Sequence, residues 1–408
     1  MNVDQLVREA LQEQAAEQGG PRGDLAGRVL ATRRRRRART ITGAALGTAA
    51  AVVVGVSALD SGREDAGPAS ASRTGDVIAH PGQSVPRDFV AAGKTGLAGY
   101  SVTRDVPQRN GDELLARSYF LLNPRTMKYE KADTEWAWVA VAPGMRTAAV
   151  LEGELPTRRV GMLDLRTGKV TRWITLRHGV AAVEWSPDGK RLVATAYRKN
   201  PDLMVSVPGN GSVNWPRHHG SRTGYVLIEA ASGKVGPFRD VPQPDPDEDG
   251  MFPGVSRQDL HFNHDGTRLY VQQYARQGKK DYRDWYTLSG RPTSAPPAEK
   301  HAGRPQAGLS PDGRLLAADG DAKGSPVLDP MTGRKVAWVP SQEQLAWADS
   351  KRIIALACAD PARCTGKNND PKRLVLVTVD SKKAVPLTAA RTAPQGYKRV
   401  WTPMLTAR

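Results

Sequence analysis

Aromatic and cationic side chains are interleaved in the loop segment 274–283 of this sequence, a mixture that suits the binding of carbohydrate or phosphate polymers. That segment carries Tyr274, Arg276, Lys279, Lys280, Tyr282 and Arg283, and a second loop segment, 199–222, carries Trp215, Arg217, His218 and His219. Adjacent histidines point in divergent directions on an extended chain, which disfavours one metal ion bound by both. These residues are therefore candidates for a ligand-binding surface, with a packed loop tip and polar loop cover as the alternatives.

Acidic side chains at alternate positions precede a glycine, as in the first half of a calcium-binding loop. They are Asp245, Asp247 and Asp249, followed by Gly250. The twelfth position is Ser256, where such loops have a bidentate Glu, and Pro246 stiffens the segment. We expect a solvated acidic linker and no cofactor, with a calcium site at the three aspartates as the alternative.

The two cysteines of the chain are Cys358 and Cys364. The membrane topology argued below places both outside the cytoplasm, where an even number of cysteines favours a disulfide. The bond would close a short loop and stabilise the fold by about 2 kcal/mol. We predict a structural disulfide between them, with no redox role.

One turn recurs along the chain and must position these segments. Trp-Ser-Pro-Asp-Gly-Lys at 185–190 has near-copies at 309–314 and 262–267, with weaker echoes at 141–145 and 347–351. Pro favours the φ of a type I turn, Asp accepts hydrogen bonds from the turn's own amides, and Gly relaxes the exit. Each turn joins two short apolar runs, so each copy predicts a β-hairpin.

A second turn, of the type Thr/Ser-Gly-Lys/Arg, follows at 167–169, 232–234 and 332–334. Two hairpins make a four-stranded antiparallel sheet, and units recurring roughly every 40 to 50 residues are typical of propeller blades. We predict an all-β fold, a six-bladed β-propeller over 83–408, with seven blades as the alternative. The predicted blades span about 83–132, 134–178, 180–240, 256–300, 303–340 and 342–390. The first lacks a strand that the apolar C-terminal run Val400 to Leu405 can supply, which would remove open sheet edges.

The Ser-Pro-Asp-Gly-Lys turn followed by the Thr/Ser-Gly-Lys turn resembles the repeat of the TolB-type (WD40-like, PD40) β-propellers. The resemblance covers about 134–390, and the Gly-His and Trp-Asp marks of true WD40 repeats are missing. It implies the propeller architecture. It does not imply a function, because this fold hosts both binding modules and enzymes.

Motifs for catalysis are missing: there is no Gly-x-Ser-x-Gly elbow, no His-Glu-x-x-His and no phosphate loop. Propeller lactonases and lyases use an axial metal with carboxylates, and Asp188 and Asp312 are carboxylates of the repeated turn. Their place in tight turns predicts that they cap backbone amides. We expect a non-enzymatic module, with an exported, metal-dependent lactonase- or lyase-like enzyme as the alternative.

In a four-stranded meander, the first and third turns emerge on one face, and the second loop and the crossing between blades emerge on the other. The longest segments, at 199–222, 241–256, 274–283 and 358–372, all fall on the second face. Insertions on one face of a repeat fold are typical of a binding surface. We therefore predict that the ligand meets this long-loop face.

Twenty uncharged residues, 40–59, follow an arginine-rich stretch at 33–39. Their helical length matches a hydrocarbon core of about 30 Å, and the basic flank orients the N-terminus to the cytoplasm. We predict a single-pass membrane protein with segment 1–39 inside, a flexible linker at 60–82 and an extracytoplasmic propeller. A cleaved signal peptide is the alternative, and Gly43 and Gly47 form a Gly-x-x-x-Gly pattern that could pair two spans in a homodimer.

One or two short helices are predicted within 1–39, before the basic run. This arrangement resembles the cytoplasmic part of membrane-tethered anti-sigma factors of high-G+C Gram-positive bacteria, but the His-x-x-x-Cys-x-x-Cys zinc signature is missing. The resemblance implies a regulator that binds a sigma factor through 1–39. A marginal helix beside a stop-transfer flank is the alternative.

The formal net charge is +17. A basic domain favours anionic surroundings. The basic residues are scattered over the blades without a nucleic-acid-binding motif, so we exclude nucleic acid and expect a protein or an anionic cell-envelope polymer as the partner. The sequence thus predicts a membrane-tethered propeller that acts as a ligand- or protein-binding scaffold.

Overall fold

The structure is a computed structural model that describes residues 72–204, 221–242, 257–272, 283–321, 324–360, 362, 364, 370–381, 383–391 and 401–408. All of them belong to one unit, Ala66–Arg408. No helix in these ranges has the length and apolar character needed to cross a bilayer. The predicted cytoplasmic segment 1–39 and the predicted span 40–59 lie outside the described residues.

The described part of the chain is almost entirely β-structure, with one short 3-10 helix at Pro297–Glu299. Its strands form five hydrogen-bonded sheets of eight, seven, four, three and four strands. All strand pairs are antiparallel, and the sheets bury Val, Leu, Ile and Ala side chains between them. The fold is therefore all-β and propeller-like.

The eight-stranded sheet joins the beginning of the described chain to its end. Its strands are β1 (Ser72–Thr74), β2 (Val77–Ala79), β3 (Ala91–Ala92), β4 (Thr95–Pro107), β5 (Glu113–Asn123), β6 (Lys128–Lys131), β12 (Leu203–Met204) and β26 (Trp401–Ala407). The C-terminal β26 pairs with β4, from Trp401 opposite Val102 to Ala407 opposite Thr95. The predicted closure by the C-terminal strand is confirmed.

The beginning of this sheet lies inside the segment 60–82 that the sequence predicts to be a flexible linker. Strands β1 and β2 pair with each other, and β2 pairs with β3. Val77 and Ala79 are buried in the same apolar cluster as Val90 and Leu97. The linker boundary at residue 82 is therefore wrong, because burial of these side chains holds the segment in the sheet.

The seven-stranded sheet is a meander that includes one very long strand. Its strands are β7 (Trp136–Val141), β8 (Thr147–Glu152), β9 (Thr157–Asp164), β10 (Lys169–Trp185), β11 (Arg191–Tyr197), β13 (Arg222–Glu229) and β14 (Arg239–Asp240). Residues 169–175 of β10 pair with β9, and residues 180–185 pair with β11. One strand thus belongs to two successive meanders.

The remaining three sheets are also meanders. The first contains β15 (Leu260–Phe262), β16 (Arg268–Gln272), β17 (Arg283–Thr287) and β18 (Pro292–Thr293). The second contains β19 (Leu316–Ala317), β20 (Ser325–Leu328) and β21 (Lys335–Val339). The third contains β22 (Glu343–Trp347), β23 (Arg352–Cys358), β24 (Lys372–Thr378) and β25 (Ala384–Pro386).

Four sheets of the described chain are thus meanders and count as separate blades, beside the eight-stranded closing sheet. The sequence predicts six separate four-stranded blades, and that pattern is not what the hydrogen bonding shows. The count differs because β10 continues from one meander into the next, and because β1, β2, β3 and β12 add strands to the closing sheet.

The repeated turn has the same hydrogen bonds in its two best copies. The Ser186 hydroxyl donates to Asp188 Oδ1 at 2.6 Å and accepts from Arg191 N at 2.9 Å. Ser310 does the same with Asp312 and Leu315, at 2.7 and 2.9 Å. Asp188 and Asp312 also accept backbone N–H groups within their turns, so their predicted capping role is confirmed.

Candidate functional site

Most of the side chains predicted to bind a ligand fall in ranges that the structure does not describe. These are Trp215, Arg217, His218, His219, Tyr274, Arg276, Lys279, Lys280 and Tyr282, with the calcium candidates Asp245, Asp247 and Asp249. The ligand-binding role of the long-loop face stays a prediction. Arg283, at the end of one segment, is described and buried, with its guanidinium 4.1 Å from the ring of Tyr270.

The predicted disulfide is confirmed: Cys358 and Cys364 are bonded, with their Cα atoms 6.0 Å apart. Asp370 lies beside them, with its Oδ2 3.5 Å from Cys364 Sγ. In the described ranges, these three residues are the group of His, Cys, Asp or Glu placed closely enough to share a metal ion. Both sulfurs are engaged in the disulfide and offer no thiolate.

A cavity of about 460 Å³ lies where the innermost strands of the sheets end. Its lining comes from residues 140, 141 and 143 at the end of β7, 184–187 at the end of β10, 345–347 of β22 and 405–407 of β26. His264, just after β15, and residues from 306–311, just before β19, complete the wall, with Thr95 of β4. We call this the central cavity. Pro143, Pro187 and Pro311, each from a copy of the repeated turn, are among its lining residues.

Three tryptophans hold the inner strands around the central cavity. The indole N–H of Trp138 donates to Val183 O at 3.0 Å, and that of Trp185 donates back to Ala140 O at 2.9 Å. The indole N–H of Trp347 donates to Gly308 O at 3.1 Å. The first two bonds join β7 to β10, and the third joins β22 to the 306–311 segment. The cavity walls are therefore fixed before any ligand arrives, which lowers the entropy cost of binding.

One carboxylate of the cavity wall belongs to an acid–base pair. Glu184 accepts a hydrogen bond from Phe262 N at 3.0 Å and makes a short contact with His261 Nδ1. Both side chains are about one third exposed, at 37% and 35%. Burial disfavours the charged imidazolium, but the negative charge and hydrogen bond of Glu184 outweigh it and raise the pKa of His261. The pair can hold a proton at the edge of the cavity.

The opposite end of the inner strands contains a buried ion cluster. Asp202 accepts two hydrogen bonds from Arg117, at 2.6 and 2.8 Å, and two from Arg257, at 2.7 and 2.9 Å. Both guanidinium groups lie over the ring of Trp138, 5.1 and 4.2 Å from its centre. Burial alone would raise the pKa of Asp202, but the two arginines hold it well below its ordinary value.

A hairpin from the closing sheet carries part of this cluster across the inner strands. The outer part of β4 and β5, residues 103–117, extends beyond the start of β26. The tip pairs with β12, and Leu115 N donates to Asp202 O at 3.0 Å. Arg257 in turn donates to Ala181 O of β10 at 2.9 Å. The described residues thus cover the N-terminal ends of the inner strands, and the central cavity lies at their C-terminal ends.

Sequence reasoning missed both the acid–base pair and the ion cluster. Glu184 and His261 each precede a copy of the repeated turn, which is a weak local signal for neighbouring positions on adjacent inner strands. Arg117 and Arg257 are 85 and 55 residues away from Asp202, and no local pattern connects them. The structure also places a cavity among the tight turns of the repeat.

Comparisons with known proteins identify no family for this chain. No protein family profile matches it, and no curated protein matches it. Among solved structures, the hydrazine synthase of Kuenenia stuttgartiensis is 12% identical, over 73% of this chain and 78% of that one, with a TM-score of 0.36. The Cps50 (Swd1) β-propeller domain of Myceliophteria thermophila is 14% identical, over 76% of this chain and 90% of that one, with a TM-score of 0.35. Likeness at this level carries no argument about function.

Proposed function

We propose that this chain is a membrane-tethered, extracytoplasmic β-propeller of TolB type, from a high-G+C Gram-positive bacterium, which acts as a non-enzymatic binding module. The observation that carries the proposal is the central cavity. Its volume of about 460 Å³ lies within the range of ordinary ligand sites, about 300–1,000 Å³. Its occupant is a segment of a partner protein that enters between the repeated turns.

The six blades that the sequence predicts are part of this proposal. The central cavity is lined by residues of β4, β7, β10, β22 and β26, by His264 just after β15 and by the 306–311 segment just before β19, so each of the five sheets adjoins it. On this interpretation β10 is two strands joined end to end, because its pairing shifts between Thr175 and Val180. The seven-stranded sheet is then two blades.

The chemistry of the lining favours a protein segment over a polyanion. Ala140, Leu309 and Leu345 supply apolar surface, and Glu184 supplies a negative charge. The indole N–H groups are already bonded to backbone carbonyls, so the tryptophans offer their flat faces. Such a wall suits an apolar or basic peptide segment, and it repels phosphate-rich chains.

Photo-crosslinking tests the binding site in the full-length protein. A photoreactive amino acid at Gln306 lines the cavity, and one at Met331 lies on an exposed outer turn as the matched control. A third, at Trp215, tests the predicted long-loop face. We expect a discrete protein adduct from Gln306 and none from Met331. An adduct from Trp215 alone would move the site to the long-loop face, and no adduct from either position would refute the module.

Protease accessibility tests the tether independently. Intact cells would carry the full chain with a different epitope tag at each end. We expect external protease to remove the C-terminal tag and to spare the N-terminal tag until the cells are lysed. Protection of both tags would contradict an extracytoplasmic propeller, whatever the crosslinking shows.

The pair of Glu184 and His261 favours one second candidate, an exported propeller enzyme that uses these groups for acid–base chemistry at the cavity. The metal-dependent lactonase- or lyase-like enzyme, which the sequence analysis gives as an alternative, is one form of this candidate. Elemental analysis of the purified full chain separates the two proposals. A stoichiometric metal ion that is lost in Glu184→Gln would favour the enzyme, and retention of the Gln306 adduct in that variant would favour the binding module.

A further inference from the structure

A second cavity, of about 660 Å³, lies between the closing sheet and the seven-stranded sheet. Pro124 and Arg125 of the turn between β5 and β6 form one wall. The other wall comes from Arg146 and Thr147 at the start of β8, Asp164 and Arg166 at the end of β9, and Thr171 of β10. We call it the arginine groove.

Three guanidinium groups line this groove, and little in the described structure neutralises them. Arg125, Arg146 and Arg166 are all exposed. Within the described ranges, the side chains of Arg125 and Arg146 have no ion pair or hydrogen bond, and Arg166 contacts Asp164 at 3.4 Å. Asp164 is the one carboxylate among the described residues of the wall, so these residues carry a net charge of about +2.

The Asp164 carboxylate is already hydrogen-bonded within its own turn. Its Oδ1 accepts the backbone N–H of Arg166 at 2.8 Å, and this bond, with the nearby guanidinium of Arg166, lowers the pKa of Asp164. The Thr171 hydroxyl likewise donates to Met162 O at 3.0 Å. Among the described wall residues, the polar groups left to meet a ligand in the groove are therefore the arginine N–H donors and the Thr147 hydroxyl.

We propose that the arginine groove binds a phosphate group, free or as part of a phosphodiester polymer. Guanidinium groups present forked N–H donors that match the oxygens of phosphate, and charge-assisted bonds of this kind are about twice as strong as neutral ones. Among the described residues, Arg125 and Arg146 have no side-chain partner, so they give up no bond to these residues when they meet the anion. Each phosphate of a polymer running through a groove of this size would add to the attraction.

The arginine groove and the central cavity adjoin the same turn. Pro143 faces the cavity, while Arg146 and Thr147, at the end of that turn, face the groove. Because no described residue lines both, the groove inference does not depend on what occupies the cavity. A loss of phosphate binding and a loss of the Gln306 adduct are therefore separate outcomes.

The test is calorimetric titration of the full chain in nanodiscs of zwitterionic lipid. One arm uses inorganic phosphate, and the other uses poly(glycerol phosphate). We expect the polymer to bind and its affinity to fall steeply with added salt, because the contacts are between exposed charges. Binding of phosphate alone would assign the groove to a soluble anion. Failure of both probes to bind would overturn the proposal.

The variant that removes the site is the double substitution Arg125→Gln, Arg146→Gln. We expect it to weaken binding of the polymer at least about tenfold, because two charge-assisted contacts are lost. The matched control, Arg158→Gln with Arg177→Gln, removes the same charge from exposed positions on β9 and β10, toward the other end of these strands. Equal weakening in both variants would show unspecific charge attraction and would refute the groove.

A gain of affinity gives a test that misfolding cannot imitate. Asp164→Asn removes the one negative charge of the lining and keeps an oxygen that can accept the Arg166 N–H. We expect binding to tighten by about threefold or more, since the net charge of the groove rises by about one unit. Unchanged or weaker binding in this variant, with an unchanged melting temperature, would contradict the proposed electrostatics.

Discussion

Asp202 is 3% exposed and accepts four hydrogen bonds from two arginines, one on β5 and one in the segment just before β15. Removing one partner of a buried ion cluster leaves uncompensated charge behind, typically at a cost of about 3–5 kcal/mol. We therefore expect Asp202→Asn to lower the free energy of unfolding by about that amount. Urea denaturation followed by tryptophan fluorescence measures it.

The control for this substitution is an exposed ion pair, Arg104 with Glu135, whose side chains are 51% and 82% exposed. Exposed pairs contribute about 0–1 kcal/mol, so Glu135→Gln should be nearly silent. Similar losses in the two variants would mean that the Asp202 cluster does not hold the hairpin of residues 103–117 in place.

His261 gives the fold a dependence on pH. Its ordinary pKa is near 6.5, and the charge and hydrogen bond of Glu184 raise the pKa in the folded state. A raised pKa stabilises the folded state fully below about pH 6.5, and that contribution is lost as the pH rises through the folded pKa. We expect the melting temperature of the protein to fall as the pH rises through the folded-state pKa of His261.

The comparison for that experiment is His261→Gln, which cannot titrate. The difference in melting temperature between the two proteins should shrink as the pH rises from 6 to 9. A difference that stays constant would show that the contact between Glu184 and His261 is independent of the imidazole charge.

At the scale of elements, the repeated turn is held by its first side chain. Ser186 is 1% exposed, and its hydroxyl both donates a hydrogen bond to the Asp188 carboxylate and accepts one from the Arg191 backbone N–H. Replacing it with Ala leaves the Arg191 N–H without that acceptor, and an unsatisfied buried donor costs about 1–3 kcal/mol. We expect Ser186→Ala to lower the unfolding free energy by this amount in a urea titration.

Ser232, in the second turn of the same meander, is the control. Its hydroxyl also donates to a carboxylate, Glu229 Oε2 at 2.9 Å, but the residue is exposed. Ser232→Ala should change the unfolding free energy by less than about 0.5 kcal/mol. If the two alanine variants behave alike, burial of the Ser186 hydroxyl is not the source of its effect.

At the scale of the whole molecule, the fold depends on the pairing of its two ends. Strand β26 contributes seven residues to the closing sheet and three to the wall of the central cavity. A chain that stops at residue 400 would expose the edge of β4 and open the ring. Because domains are stable by only about 5–15 kcal/mol, we expect this truncation to abolish cooperative unfolding.

Calorimetry checks that prediction, and deletion of Arg408 alone is its control. Arg408 lies just beyond β26 and donates to Gly93 O and Asp76 O, so its loss should lower the melting temperature only slightly. A sharp, two-state transition in the chain truncated at residue 400 would mean that the ring is stable without its closing strand.

The parts of the fold that the sequence predicts well are those fixed by local bonds. The turns at 185–190 and 309–314 form as predicted, because a serine, an aspartate and a glycine within five residues satisfy one another. The blade count was not predictable in the same way. Nothing in the local pattern says that β10 continues from one meander to the next, or that residues 72–79 join the closing sheet.

The all-β class, the hairpins, the closing strand and the disulfide can be predicted from the sequence, because each follows from short-range patterning or from an apolar run in need of a partner. Which ends of the inner strands are covered, and where Glu184 meets His261, depends on the tertiary fold. These contacts join residues 55 to 85 positions apart, whose meeting depends on how the sheets are arranged around the axis. The periodic spacing of apolar residues along the sequence does not specify that arrangement.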